Sequence, residues 1–214
     1  MAKFEEEDLE AAADTTRLKL AIHDQLRPDM MTVIVKMKHL GMIKNYRRVP
    51  DDKMPYDEAI FDAIDGVLII PERTFSAMNR GEPRAVMTIA EEVGHIALGH
   101  SGVRHRTTGD PADRRPDPEK LDPKIRREEA QARRFAAAFL APRELAGVVT
   151  DSSAADLAKR FNLSAQAARI RKDEIDRLHR RKHGIKRSLP HGVEKFLREA
   201  KAKGHRITSI EDEN

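Results

Sequence analysis

Apolar side chains recur every three to four residues over much of this chain, and that spacing divides it into helices. From residue 3 to residue 26, Leu9, Ala12 or Ala13, Thr16, Leu20 and Ile22 form an uneven helical stripe ahead of Pro28. Met30, Val33, Ile34, Met37 and Leu40 repeat more regularly, and Gly41 follows as a C-terminal stop. A strand through the β-branched run Thr32 to Val35 competes with that helix, which is preferred. Residues 44–55 are basic, then rich in Pro and Asp, and are expected to form a loop. Ala59 to Ile64 and Val67 to Ile70 are apolar runs joined by Asp65-Gly66, the strongest short-range hairpin signal. Pro71 should end the second strand. Residues 72–82 are a short polar connection, with one helical turn expected at Thr74 to Met78.

The helical period returns between Arg84 and His100. Pro83 sits where a first turn tolerates proline, and Gly99 where a helix stops. Val86, Ile89, Ala90, Val93 and Ala97 make one stripe, which Met87, Ile96 and Leu98 widen until most of the circumference is apolar. Such a helix is buried. From Ser101 to Pro123 the chain turns to Pro, Gly, Asp and Arg, the composition of a loop. A helix from Pro123 to Ala141 follows. On it Glu129 shares a face with Ala132, Ala136 and Leu140, and Glu128 shares one with Phe135 and Phe139, so periodicity does not separate the two glutamates. Asp156 to Arg171 resembles a helix-turn-helix: Leu157, Ala158 and Phe161 pack the first helix, and Asn162-Leu163-Ser164 turns the chain and caps the second. The tail holds one amphipathic helix with Val193, Phe196, Leu197 and Ala200, then an apolar run from Ile207 to Ile210 suited to an edge strand or a docking segment.

Composition narrows the function classes. The 214 residues suffice for one sizeable core or two small ones. No apolar run is long enough to span a membrane. Phe4 lies among acids at the N-terminus, unlike a signal peptide. With no cysteine there is no disulfide and no thiolate ligand, so a metal must use His and carboxylates, and the expected compartment is the cytoplasm. Charge is uneven. The whole chain is formally +4, yet residues 159–206 hold sixteen Lys or Arg against five acids, a local net of +11. That is a candidate nucleic-acid footprint. Charge alone supplies only non-specific affinity, so DNA contact is not favoured.

The chemistry lies on the buried helix. Glu91, Glu92 and His95 sit on it, and a buried charge must be paired or hold a metal. Glu91 and His95, four apart, share a face. The spacing resembles the zincin motif His-Glu-x-x-His, in which two histidines a turn apart hold zinc and the glutamate activates a water. Here Glu91 stands at the first histidine position. The stretch Arg84, Met87, Thr88, Ala90, Glu91, Glu92, Gly94, His95, Gly99, His100 also resembles the active helix of the ImmA/IrrE family of metallopeptidases. Glu129, Ala132, Phe135 and Ala136, then Leu140 and Pro142, are similar to that family's second signature, with Arg133 in place of its usual Asn.

This resemblance, extending over about Tyr56 to Ile170, implies an α+β fold: a zincin-like, mainly helical domain with a small antiparallel sheet, then a helix-turn-helix-like helical C-terminal region. The expected division is 1–145 and 146–214, the alternative being that the second region is integral to the first. The resemblance makes Glu91, His95 and Glu129 the metal ligands and Glu92 the catalytic base of peptide-bond hydrolysis. The implied metal is Zn2+; two carboxylates and one imidazole shift preference toward Mn2+ or Fe2+. His100 is an alternative ligand if the chain bends at Gly99, and His105 a remoter one. The implied partner is a protein substrate, a transcriptional regulator of the helix-turn-helix type. The alternative is a family member that has lost catalysis and regulates by binding.

Overall fold

The computed structural model describes residues 4–100, 122–146, 152–185 and 191–203. Two compact units are present, Met1–Leu178 and His179–Asn214.

The first unit opens with α1 (Glu6–Lys19), whose first turn is closed by a reciprocal pair in which the Glu5 N–H donates to the Asp8 carboxylate. The helix ends several residues before the expected residue 26. Ala21 turns left-handed, and the buried Arg17 guanidinium collects the carbonyls beyond it, donating to Ile22 O at 2.7 Å, Gln25 O at 2.5 Å and Phe139 O at 2.6 Å. α2 (Met30–His39) is the expected helix. The Asp29 carboxylate caps it by accepting the Thr32 N–H, and Gly41 leaves it at φ 69°.

Residues 44–55 contain a strand, β1 (Asn45–Val49), where a loop was expected. It lies on the edge of the sheet and exposes most of its side chains, so no alternation of apolar residues marks it. β2 (Ile60–Asp62) and β3 (Val67–Pro71) form the expected hairpin. Asp62 pairs with Val67, which leaves a four-residue turn instead of a two-residue one. Within it the Asp62 carboxylate accepts the Ile64 and Asp65 N–H groups, Gly66 takes φ 66°, and Ile64 projects into solvent. Because β1 runs parallel to β3, the sheet is mixed, in the order β1-β3-β2, where an antiparallel one was expected. The connection expected as one helical turn is a full helix, α3 (Glu72–Asn79), which buries Phe75 and Met78.

α4 (Pro83–Ala97) and α5 (Pro123–Leu140) then pack against each other at the centre of the unit. After α6 (Arg143–Ala146) come α7 (Ala154–Phe161) and α8 (Ala165–Lys182), the expected helix-turn-helix pair. Ser153 and Asp156 form a capping box on α7. Asn162 ends α7 in the left-handed region, and the Ser164 hydroxyl accepts the Ala167 N–H at the start of α8. Leu157, Phe161, Leu163, Ala168 and Ile175 of this pair belong to the same buried cluster as Ile89, Val93, Phe135 and Phe139. The fold is thus α+β and mainly helical, with the small sheet beside α4.

The second unit takes in the last turn of α8 and the amphipathic α9 (His191–Ala202), on which Val193 and Phe196 are exposed. Residues 101–121 of the loop expected from Ser101 to Pro123, and the run from Ile207 to Ile210, lie outside the described residues. Among the described residues no helix is long and apolar enough to cross a membrane.

Candidate metal centre

α4 is interior, as its wide apolar stripe requires, and it carries Glu91, Glu92 and His95 inside with it, at 6%, 1% and 3% exposure. The three side chains divide between two neighbours. Glu92 faces the sheet and accepts the Phe61 N–H of β2 at 3.0 Å. Glu91 and His95 face α5.

Gly94 brings the two helices close. A Cβ there would lie 3.0 Å from a Phe135 ring carbon and 3.1 Å from Ala132 O. Across this contact His95 Nε2 comes within 3.4 Å of Glu129 Oε1. Of the two glutamates that periodicity left equivalent, Glu129 is thus the one beside His95 Nε2, and Glu128 is the more deeply buried. One turn further along α5, Arg133 Nε stands 4.0 Å from Glu91 Oε2.

His100 lies behind His95. Gly99, at φ 66°, reverses the chain so that the His100 N–H donates to His95 O at 2.9 Å. The two Nδ1 atoms are 2.9 Å apart, and His100 Nε2 lies 3.1 Å from Gln131 Oε1. His100 is therefore bonded to the Nδ1 side of His95, away from Glu129. His105 lies outside the described residues.

Metal–nitrogen and metal–oxygen bonds of roughly 2.0–2.2 Å in tetrahedral geometry separate two donor atoms by about 3.3 Å. The His95–Glu129 pair matches that spacing, and His95 Nε2 is buried without a hydrogen bond among the described residues. These two side chains fit two ligand positions. Glu91, on the His95 face, is the residue that would make a third, and in this arrangement its carboxylate lies toward Arg133. Among the described residues no three His, Asp or Glu side chains converge into a metal-holding cluster.

Three contributors were not foreseen in the sequence. Gln131 reaches the histidine pair, and the only signal for it was a polar residue beside Ala132 on an apolar helix. The Phe61 amide holds Glu92, which no side-chain pattern can announce. Glu58 accepts from Arg84 Nε at 2.6 Å and from Thr88 Oγ1 at 3.0 Å, tying the first turns of α4 to the segment before β2.

Residues 78–172 match the family described as the IrrE N-terminal-like domain, a peptidase family. The match begins near the end of α3, includes α4 and α5, and runs into α8. No curated protein matches the chain.

Proposed function

Because residues 78–172 belong to the ImmA/IrrE family of peptidases, we propose that the chain hydrolyses a peptide bond in a protein target with the help of one divalent metal ion. The observation that carries this reading is the 3.4 Å approach of His95 Nε2 to Glu129 Oε1 inside the α4–α5 contact. His95 supplies a ring nitrogen, and Glu129 and Glu91 supply carboxylate oxygens. When bound, zinc contributes Lewis acidity and makes hydroxide accessible near neutral pH. The two carboxylates weaken that effect and favour a harder ion such as Mn2+ or Fe2+.

Glu92 is the proton carrier. It takes a proton from the attacking water and returns it to the leaving amine. The Phe61 N–H orients the carboxylate through Oε2. Glu91 and Arg133 line a groove of about 630 Å³ together with Met87, Ala130, Ala167 and Ile170, at the junction of α4, α5 and α8. The resemblance supports a helix-turn-helix regulator as the target class.

One observation favours a second reading, regulation by binding without catalysis. The Arg133 guanidinium beside Glu91 supplies a positive charge of the protein's own close to where a metal would sit. Metal analysis of protein purified without chelator, beside His95→Ala, separates the two. An equimolar metal ion that is lost in the variant supports the peptidase. No uptake of zinc or manganese by either protein leaves the binding reading.

A further inference from the structure

We infer that His100 and Gln131 are positioning residues that set the tautomer of His95, so that its Nε2 presents a lone pair toward Glu129. The chain of contacts is Gln131 Oε1 to His100 Nε2 at 3.1 Å, then His100 Nδ1 to His95 Nδ1 at 2.9 Å. All three residues are buried. A carboxamide oxygen can only accept, so His100 Nε2 carries the hydrogen. In a neutral ring the other nitrogen then accepts, so the hydrogen between the two Nδ1 atoms belongs to His95. A neutral His95 with hydrogen on Nδ1 has none on Nε2.

The far side of His95 agrees independently. A hydrogen on Nε2 would be donated to the Glu129 carboxylate, and charge-assisted bonds of that kind close to about 2.7–2.9 Å. The observed separation is 3.4 Å, and Nε2 makes no hydrogen bond among the described residues. The same ring is therefore fixed on one side and ready for a Lewis acid on the other, as the partners of metal-binding histidines usually arrange. Gly99 makes this possible, because its left-handed backbone returns His100 to the end of the helix it has just left.

The relay bears on metal binding only through the reading proposed above, so the test addresses the tautomer directly. Histidine ring nitrogens of the metal-free, 15N-labelled full chain are observed by NMR at pH 8. His95 is expected to be protonated on Nδ1 and bare on Nε2. Gln131→Leu, close to Gln in volume, should move the His95 hydrogen toward Nε2 and weaken zinc binding by about 10- to 100-fold. Gln131→Glu keeps an acceptor and should restore the wild-type tautomer. A simple packing role for Gln131 would leave the ring-nitrogen shifts unmoved in the Leu variant. A wild-type His95 protonated on Nε2, or the same tautomer in wild type and Gln131→Leu, overturns the relay. If the wild type takes up neither zinc nor manganese, the peptidase reading falls, and the ring-nitrogen shifts still decide the relay.

Discussion

Gly94 has no side chain to show, yet the distance between His95 and Glu129 depends on it. Its missing Cβ would press on Ala132 O, a backbone atom that cannot rotate aside. Gly94→Ala gains helix propensity of about 1 kcal/mol and loses about 1–3 kcal/mol to overpacking. The expected outcome is a net loss of up to about 2 kcal/mol in thermal or denaturant unfolding, with weaker metal retention as α4 and α5 part. On the proposed reading Glu92 has two duties, and substitution can separate them. Glu92→Gln keeps an oxygen for the Phe61 N–H, so stability should hold while target cleavage falls by about 10²- to 10⁴-fold. Glu92→Ala should also cost about 1–3 kcal/mol, since it strands a part-buried amide. A cleavage rate unchanged in Glu92→Gln would remove it from the chemistry. Sequence placed Glu91, Glu92 and His95 on one buried helix because their spacing and the apolar stripe suffice for that. It could not choose Glu129 over Glu128 from periodicity, because either glutamate lies on an apolar face of α5.

At the scale of elements, α8 shows how far a charge count can mislead. Arg171 is fully buried, forked onto the Glu10 carboxylate of α1 and bonded to Ala141 O at 2.9 Å. Arg177 grips Glu6, and Lys172 pairs with Asp176 on its own helix. These cations fasten α8 to α1 and to itself, so the positive charge that α8 offers a phosphate backbone is smaller than its seven basic residues suggest. Arg171→Met should cost about 3–5 kcal/mol, because it leaves Glu10 and a buried carbonyl without their partner. A shift in unfolding midpoint near zero would show that α1 and α8 do not depend on this pair. α2 was legible from its apolar spacing and Gly41, and α7 from Leu157, Ala158 and Phe161 ahead of the Asn162-Leu163-Ser164 turn. β1 was not. An exposed parallel edge strand carries no apolar alternation, and its partner β3 lies about twenty residues away.

For the whole molecule, the buried carboxylates set a slope of stability with pH. Burial pushes Glu174 above its ordinary range, against the opposing pull of Arg171 and Arg134, and burial likewise raises Asp14, with Glu10 adding to it. A carboxyl raised in the folded state binds its proton more tightly there than in the unfolded chain. Its contribution is therefore present at low pH and is lost as pH climbs from the ordinary carboxylate range through the raised value. Asp29 acts in the opposite sense. The Thr32 hydroxyl holds it below its usual range, so its contribution is present above that range and is lost as pH falls through the lowered value. Glu174→Gln should flatten the decline on the rising side, which urea unfolding at a series of pH values reads directly. An unchanged slope would mean that Glu174 ionises in the fold as freely as in the open chain.

By itself the sequence determined the helices α2, α4, α5, α7 and α8, the hairpin and the burial of the acidic helix, because period, caps and turn glycines act over a few residues. It also carried the family resemblance, which the match over residues 78–172 supports, since two signatures in order are a linear property. Only the tertiary structure decided which atoms meet. The parallel edge strand, the capture of carbonyls by Arg17, the clasp of Arg171 on Glu10, and the line from Gln131 through two histidines toward Glu129 join residues from different elements. Such contacts are fixed by how closely helices can approach and by which buried polar groups must find partners, and neither condition is written in local spacing.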